Sequence, residues 1–273
     1  MVQEDTVSVV QVSPMKVYWL EQNEADVPVY NDWLASSELL RLSGMRFAKR
    51  RADWRLGRWT AKNAVAAYLN LSDQIGRLTE IEIRPAPSGA PEVFLSNVRA
   101  PVTISLTHRE GTAACAIANE GVLLGCDLEI VEPHGDAFIA DYFTDEERAL
   151  IARGDDKNFL SALLWSAKES TLKALQQGLR LDPRGVMVQP CEPQPGAGIL
   201  TPGVAEERIW TRLEVRHESG RAFTGWWQRT AKLVRTVVSD PSSCPPLLLD
   251  RRPSAVGKDK ATLHQESTAE LPA

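Results

Sequence analysis

Cysteine is sparse in this chain and carries none of the spacings that build a site. Its four copies, at positions 115, 126, 191 and 244, include no C-x-x-C pair, so reduced core or surface thiols are expected rather than a zinc or disulfide framework. There is no H-x-x-x-H, no G-x-S-x-G and no G-x-x-x-x-G-K-[ST], which leaves zinc hydrolases, serine hydrolases and P-loop enzymes without sequence support. Uninterrupted apolar runs stay well short of the roughly eighteen residues of a membrane span. The first residues, with Glu4 and Asp5, lack the basic and apolar regions of a signal peptide. A soluble, cytoplasmic protein with no membrane role is therefore expected. The net charge of −5 argues against a general nucleic-acid binder.

At 273 residues and 43% hydrophobic content, the chain can bury one substantial core or two smaller ones packed together. Charge is uneven along it. Between Arg41 and Lys62 stand Arg46, Lys49, Arg50, Arg51, Arg55 and Arg58 against the single acid Asp53. Trp54, Trp59 and Ala61 give the same stretch an apolar side, so the pattern predicts a helix over about 47–69 with one basic face. Such a face is either ordinary solvated surface or a phosphate-binding one.

Two short segments carry the chemistry. In Gly125-Cys126-Asp127-Leu128-Glu129 the carboxylates sit i, i+2 behind the apolar Val122-Leu123-Leu124, so on a strand both leave the same face. In Trp165-Ser166-Ala167-Lys168-Glu169-Ser170-Thr171-Leu172-Lys173 the period is helical, with Trp165, Glu169 and Lys173 four residues apart on one face. If that helix crosses the strand, Asp127, Glu129 and Glu169 meet at one point. A hard cation such as Mg²⁺ prefers such oxygen ligands.

The ordered pair G-x-D-x-E and W-x-x-K-E-S-x-x-K resembles the signature of the 4'-phosphopantetheinyl transferases, and in particular the larger, two-lobed kind similar to the surfactin-synthetase activator. Gln177-Gly178-Leu179, Ile104-Ser105-Leu106-Thr107-His108 and the turn Ser88-Gly89-Ala90-Pro91 fall where that family has related pieces. Three positions depart from it. Cys126 replaces a β-branched aliphatic residue, Thr107 a serine, and Ala90 the lysine of a Gly-Lys-Pro turn that helps hold the nucleotide in relatives. The first should affect packing more than chemistry, because i+1 side chains point away from the carboxylates.

The resemblance implies an α+β fold of two similar α/β lobes, a pseudo-dimer within one monomeric chain, with the active site in the cleft between them. The boundaries read as 1–118 for the first lobe, 119–239 for the second and 240–273 for a disordered tail, with 247–249 as a possible exception. It also implies transfer of the phosphopantetheine arm of coenzyme A to a serine of an acyl, peptidyl or aryl carrier protein, with Mg²⁺ as cofactor. Asp127, Glu129 and Glu169 would hold the metal. Glu169 and Lys173 would be catalytic, and Arg51, Arg55, Arg58, His108, Lys168 and Lys173 would contact the coenzyme. An inactive, carrier-binding member of the same fold is the alternative. The first lobe shows no second D-x-E and K-E-S pair, so no internal repeat is visible in the sequence.

Overall fold

A computed structural model describes residues 15–71, 75–191, 209–230 and 232–249. In its first half, β1 (Tyr18–Asn23) leads to α1 (Ser36–Ser43), the long α2 (Ala48–Tyr68) and a single turn, α3 (Ile75–Leu78). Strands β2 (Ile81–Pro85), β3 (Pro91–Leu95), β4 (Val98–Arg99), β5 (Val102–Arg109) and β6 (Thr112–Asn119) follow. The second half runs β7 (Leu123–Ile130), α4 (Asp136–Tyr142), α5 (Asp145–Arg153), α6 (Lys157–Ala174), β8 (Val186–Pro190), β9 (Thr211–His217), β10 (Ala222–Arg229) and β11 (Leu233–Asp240). A last short strand, β12 (Leu247–Leu248), closes the described chain. Each half thus runs from a strand through short helix and long helix to further strands.

The strands form three sheets, ordered β12-β1-β6-β5, β7-β11-β10-β9-β8 and β2-β3-β4. The long helices cover the outer faces of the first two. One apolar core lies between α2 and its strands, around Trp33, Val65, Ile81, Ile104 and Ile117. Another lies between α6 and the second sheet, around Phe143, Leu164, Leu172, Val215 and Val234. The inner faces of the two sheets share a third core, in which Trp19, Ala114 and Ala116 meet Leu124, Cys126, Leu128 and Val237. Cys126 therefore points into this core and away from the carboxylates, as expected for position i+1 of a strand.

Where the two sheets approach, at β5 and β7, they are joined through side chains. The Cys126 N–H donates to Ser105 Oγ at 3.0 Å and the Leu128 N–H to Thr107 Oγ1 at 3.2 Å. Hydroxyls on alternate residues of β5 thus take over the task of a neighbouring backbone. A bidentate pair between Arg235 on β11 and Glu21 on β1, at 2.6 and 2.7 Å, adds a second link.

A buried lysine–glutamate pair recurs in both halves with matching partners. Glu38 caps the N-terminus of α1 through the Ala35 N–H at 3.1 Å, accepts the Ile83 N–H of β2 at 3.2 Å and pairs with Lys62 of α2. Glu147 caps α5 through the Thr144 N–H at 3.0 Å, accepts the Val188 N–H of β8 at 3.3 Å and pairs with Lys168 of α6 at 2.8 Å. Both lysines are fully buried. Each donates to two backbone carbonyls, Trp33 and Leu78 for Lys62, Pro183 and Val186 for Lys168. Each also lies 5.7 Å from the centre of an aromatic ring, Trp33 or Phe143.

Several boundaries differ from the expected ones. The alternating apolar residues Val7, Val9, Val17 and Tyr18 predict a strand over 7–20; the described strand begins at Tyr18, and residues 1–14 lie outside the described ones. The helix that carries Trp165 to Lys173, predicted from its period and the stop at Gly178 to run over about 158–177, ends at Ala174, because Gln176 and Gly178 both take left-handed backbone. Residues 240–249 of the expected tail lie among the described ones, and the strand there falls on the excepted 247–249. There, β12 pairs in parallel with β1, Leu247 opposite Tyr18 and Leu248 opposite Trp19. Residues 250–273 lie outside the described ones, as do 192–208, which take in most of the Pro-, Gly- and Glu-rich stretch at 190–207 that reads as a loop insertion.

Candidate active site

Gly125, Asp127 and Glu129 alternate with the inter-sheet core residues of β7 and so lie on the face covered by α6. Gly125 permits the close approach: a Cβ there would lie 1.7 Å from the carbonyl oxygen of Ser170. On α6, the residues that keep partial exposure between Ser161 and Ala174 are Trp165, Glu169 and Lys173, all others being buried. The predicted stripe is thus the one face the helix leaves uncovered. Trp165 packs its ring on Phe138 and Tyr142 of α4 at 5.0 and 4.9 Å. Behind the stripe, Ser166 and Ser170 share hydrogen bonds of 2.8 and 2.7 Å with Thr236, the residue opposite Asp127 on β11.

Lys173 donates to Asp127 Oδ1 at 2.7 Å and to the Cys126 carbonyl at 3.0 Å. Thr107, reaching across from β5, donates to the same Oδ1 at 3.1 Å. Asp127 is 5% exposed, and its Oδ2 is buried without a hydrogen-bond partner. Glu129 lies 3.6 Å from Arg109 of β5, which also reaches Glu132 at 3.3 Å. Burial, then repulsion from Asp127, pushes the Glu129 carboxyl up to about 7 against the pull of Arg109 and Lys173, with Glu169 adding to the rise. Glu169 is raised by burial and by Asp127, and lowered in part by Lys173. Burial lowers the Lys173 ammonium, but Asp127 beside it outweighs that and leaves it raised.

The expected convergence of the three carboxylates is corrected in one respect. Among the described residues no three His, Cys, Asp or Glu side chains form a ready cation cage. The acids are close enough to repel one another, but Glu129 is paired with Arg109 and Asp127 with Lys173. The donor set nevertheless suits a hard cation. It is all oxygen, it includes a buried carboxylate oxygen without a partner, and burial together with the Asp127 charge raises both of its glutamates, a cost that a bound cation would offset.

That deficit predicts a pH dependence. The folded protein keeps the Glu129 proton up to about 7, while the unfolded chain releases it near 4.5. The stability associated with this group is then full below the lower value and falls as pH rises through the higher one, by an amount on the order of 3 kcal/mol. In EDTA, melting temperature should drop between about pH 5 and about pH 8 more steeply in the parent than in Glu129→Gln. Mg²⁺ should restore the parent at the higher pH, and parallel profiles for the two proteins would exclude this account.

A groove of about 460 Å³ runs beside the cluster. One wall comes from the first half, with Arg41, Arg58, Arg99, the turn at 85–91 and Val102 to Leu106 of β5. The other comes from Leu124, Lys173 and Gln176 to Gly178. Arg58 is the one member of the arginine trio to line it. Burial lowers the Arg58 guanidinium to about 10 despite Glu38 at 3.7 Å, with Arg41 adding repulsion. Arg55 instead donates to the carbonyls of Pro28 and Val29, and Arg51 is exposed outside the groove lining.

Lys168 is a correction. Its ammonium is fully buried among Glu147 and two carbonyls, so all three of its donors are engaged and none can reach a coenzyme. His108 stands near the C-terminal end of β5. It lies within that strand, opposite Ala113, and the turn itself is Glu110-Gly111. His108 is exposed, on the face of Ile104 and Leu106 rather than that of Thr107 and Arg109. Arg41, Arg99 and Arg109 stand at the site without a motif that marks them as site residues, and Thr107, inside the piece that resembles the family, has no role assigned to it from the sequence. The period-two pattern of β5 is the available signal for Thr107 and Arg109.

Paired strand acids facing a helical glutamate and lysine, beside an arginine-lined groove, define a site suited to an anionic substrate. Residues 123–225 match the family model of the 4'-phosphopantetheinyl transferase superfamily, so this part of the chain, from β7 into β10, is a domain of that superfamily. No curated protein matches the chain. Among the described residues no helix is long and apolar enough to cross a membrane.

Proposed function

We propose that the protein transfers the 4'-phosphopantetheine arm of coenzyme A to a serine hydroxyl of an apo acyl, peptidyl or aryl carrier protein, releasing 3',5'-ADP. The observation that carries this reading is the union, in one superfamily domain, of Asp127, Glu129, Glu169 and Lys173, the last of which lines a groove together with Arg41 and Arg58. Residues 1–118 and 119–239 act as two lobes of one pseudo-symmetric unit, supported by the recurring element order and the two buried lysine–glutamate pairs. The chain works as a monomer, its first lobe standing where another subunit would.

Asp127, Glu129 and Glu169 would hold Mg²⁺, which when bound neutralises the coenzyme pyrophosphate. Arg58 and Arg41 hold phosphate oxygens by charge-assisted hydrogen bonds, with His108 as a further candidate contact. The smaller Ala90 in the turn adds no charge there, so nucleotide affinity rests on these arginines. Glu169, partly exposed and raised, accepts the proton of the incoming serine. Lys173, kept cationic by Asp127, donates to the departing phosphate.

Intact-mass measurement tests the reading. An apo carrier protein incubated with coenzyme A, Mg²⁺ and the enzyme should gain about 340 Da, the mass of the transferred arm. EDTA or Glu169→Ala should abolish the gain. No gain across several carriers, with coenzyme A still bound, would favour the inactive, carrier-binding alternative.

A further inference from the structure

The two oxygens of Asp127 have different surroundings. Oδ1 receives Lys173 at 2.7 Å and the Thr107 hydroxyl at 3.1 Å. Oδ2 receives no hydrogen bond and is buried. Thr107 is itself 6% exposed, and its oxygen has a second task, accepting the Leu128 N–H at 3.2 Å. That bond fixes the hydroxyl relative to the backbone of the strand that bears Asp127. The hydroxyl hydrogen, directed at Oδ1, then sets the rotation of the carboxylate. A carboxylate engaged on one oxygen from two sides can offer only the other to a ligand.

We propose that Thr107 is a positioning residue for the cation site: it holds Asp127 so that Oδ2 alone faces the cation and the carboxylate binds through one oxygen. The inference rests on the reading that these acids hold a divalent cation. It adds that the first half of the chain, which contributes none of the expected ligands, controls the geometry of the site through the β5–β7 seam. Outer-shell partners of this kind commonly change metal affinity by about 10–100-fold when removed. Serine keeps both hydrogen bonds of threonine, whereas valine keeps its shape and removes both.

The test is Mn²⁺ binding to the full chain, followed by electron paramagnetic resonance, for the parent, Thr107→Ser and Thr107→Val, with melting temperature recorded for each. The expected result is affinity within about threefold of the parent for serine and a loss of at least about tenfold for valine. A folded valine variant that binds Mn²⁺ like the parent would overturn the inference. If Thr107→Val does not fold, Thr107→Cys, similar in size to serine but a weak donor, takes its place with the same two outcomes. A parent that binds no more Mn²⁺ than Glu169→Gln would remove the cation reading itself, and this inference with it.

Discussion

Gly125→Ala is expected to destabilise the protein by more than about 3 kcal/mol, above the ordinary range for an overpacked core. The added methyl would lie 1.7 Å from the Ser170 oxygen, 2.7 Å from its carbonyl carbon and 2.9 Å from the Ala174 nitrogen. All three are backbone atoms of α6, so no side chain can rotate aside. The helix must lift from the strand, carrying Glu169 and Lys173 away from Asp127 and opening the core beneath. The glycine is required for space, since its backbone is not in the left-handed region. Gly57, mid-helix in α2, is the control, because a methyl added there would meet nothing within 4 Å. Alanine at that position should stabilise by roughly 0.5–1 kcal/mol. Urea unfolding of both variants checks the pair. Equal small effects would mean that the strand and helix are less closely packed than described.

Lys168→Met is expected to cost about 3–5 kcal/mol, because it leaves the Glu147 carboxylate buried without its counter-charge. It also strips the donor from the Pro183 and Val186 carbonyls. Glu147 cannot move into water, since it caps α5 and accepts the Val188 N–H. The double variant Lys168→Met/Glu147→Gln should recover much of the loss, as a neutral amide can keep the capping bond without a buried charge. Denaturant unfolding reads the stabilities, and the transfer assay reads a separate quantity. A coenzyme contact at Lys168 would instead raise KM for coenzyme A with stability unchanged.

What the sequence makes legible depends on how local each signal is. Thr144 and Glu147 announce a helix start within four residues, and the structure has that capping box. The i, i+2 acids and the four-residue stripe likewise need only a strand and a helix to place them. Lys168 cannot be read this way. A lysine beside a glutamate looks solvated, and its neutralising partner sits 21 positions upstream on another helix. The likeness of the two halves is hidden for a related reason. It resides in a few residues at similar offsets, such as Glu38 with Lys62 and Glu147 with Lys168, with little sequence in common between them. The return of the chain to β1 through Leu247 and Leu248 depends on a strand more than 200 residues earlier, beyond any local pattern.

That returning strand bears on how the protein is made. The Leu247 and Leu249 N–H groups donate to the Val17 and Trp19 carbonyls, so one side of β1 is completed by nearly the last described residues to be synthesised. Until they leave the ribosome, β1 offers an open row of carbonyls and amides to any other nascent chain. Translation speed through this stretch, and the crowding of neighbouring ribosomes on the message, therefore set how long this edge is available for mispairing.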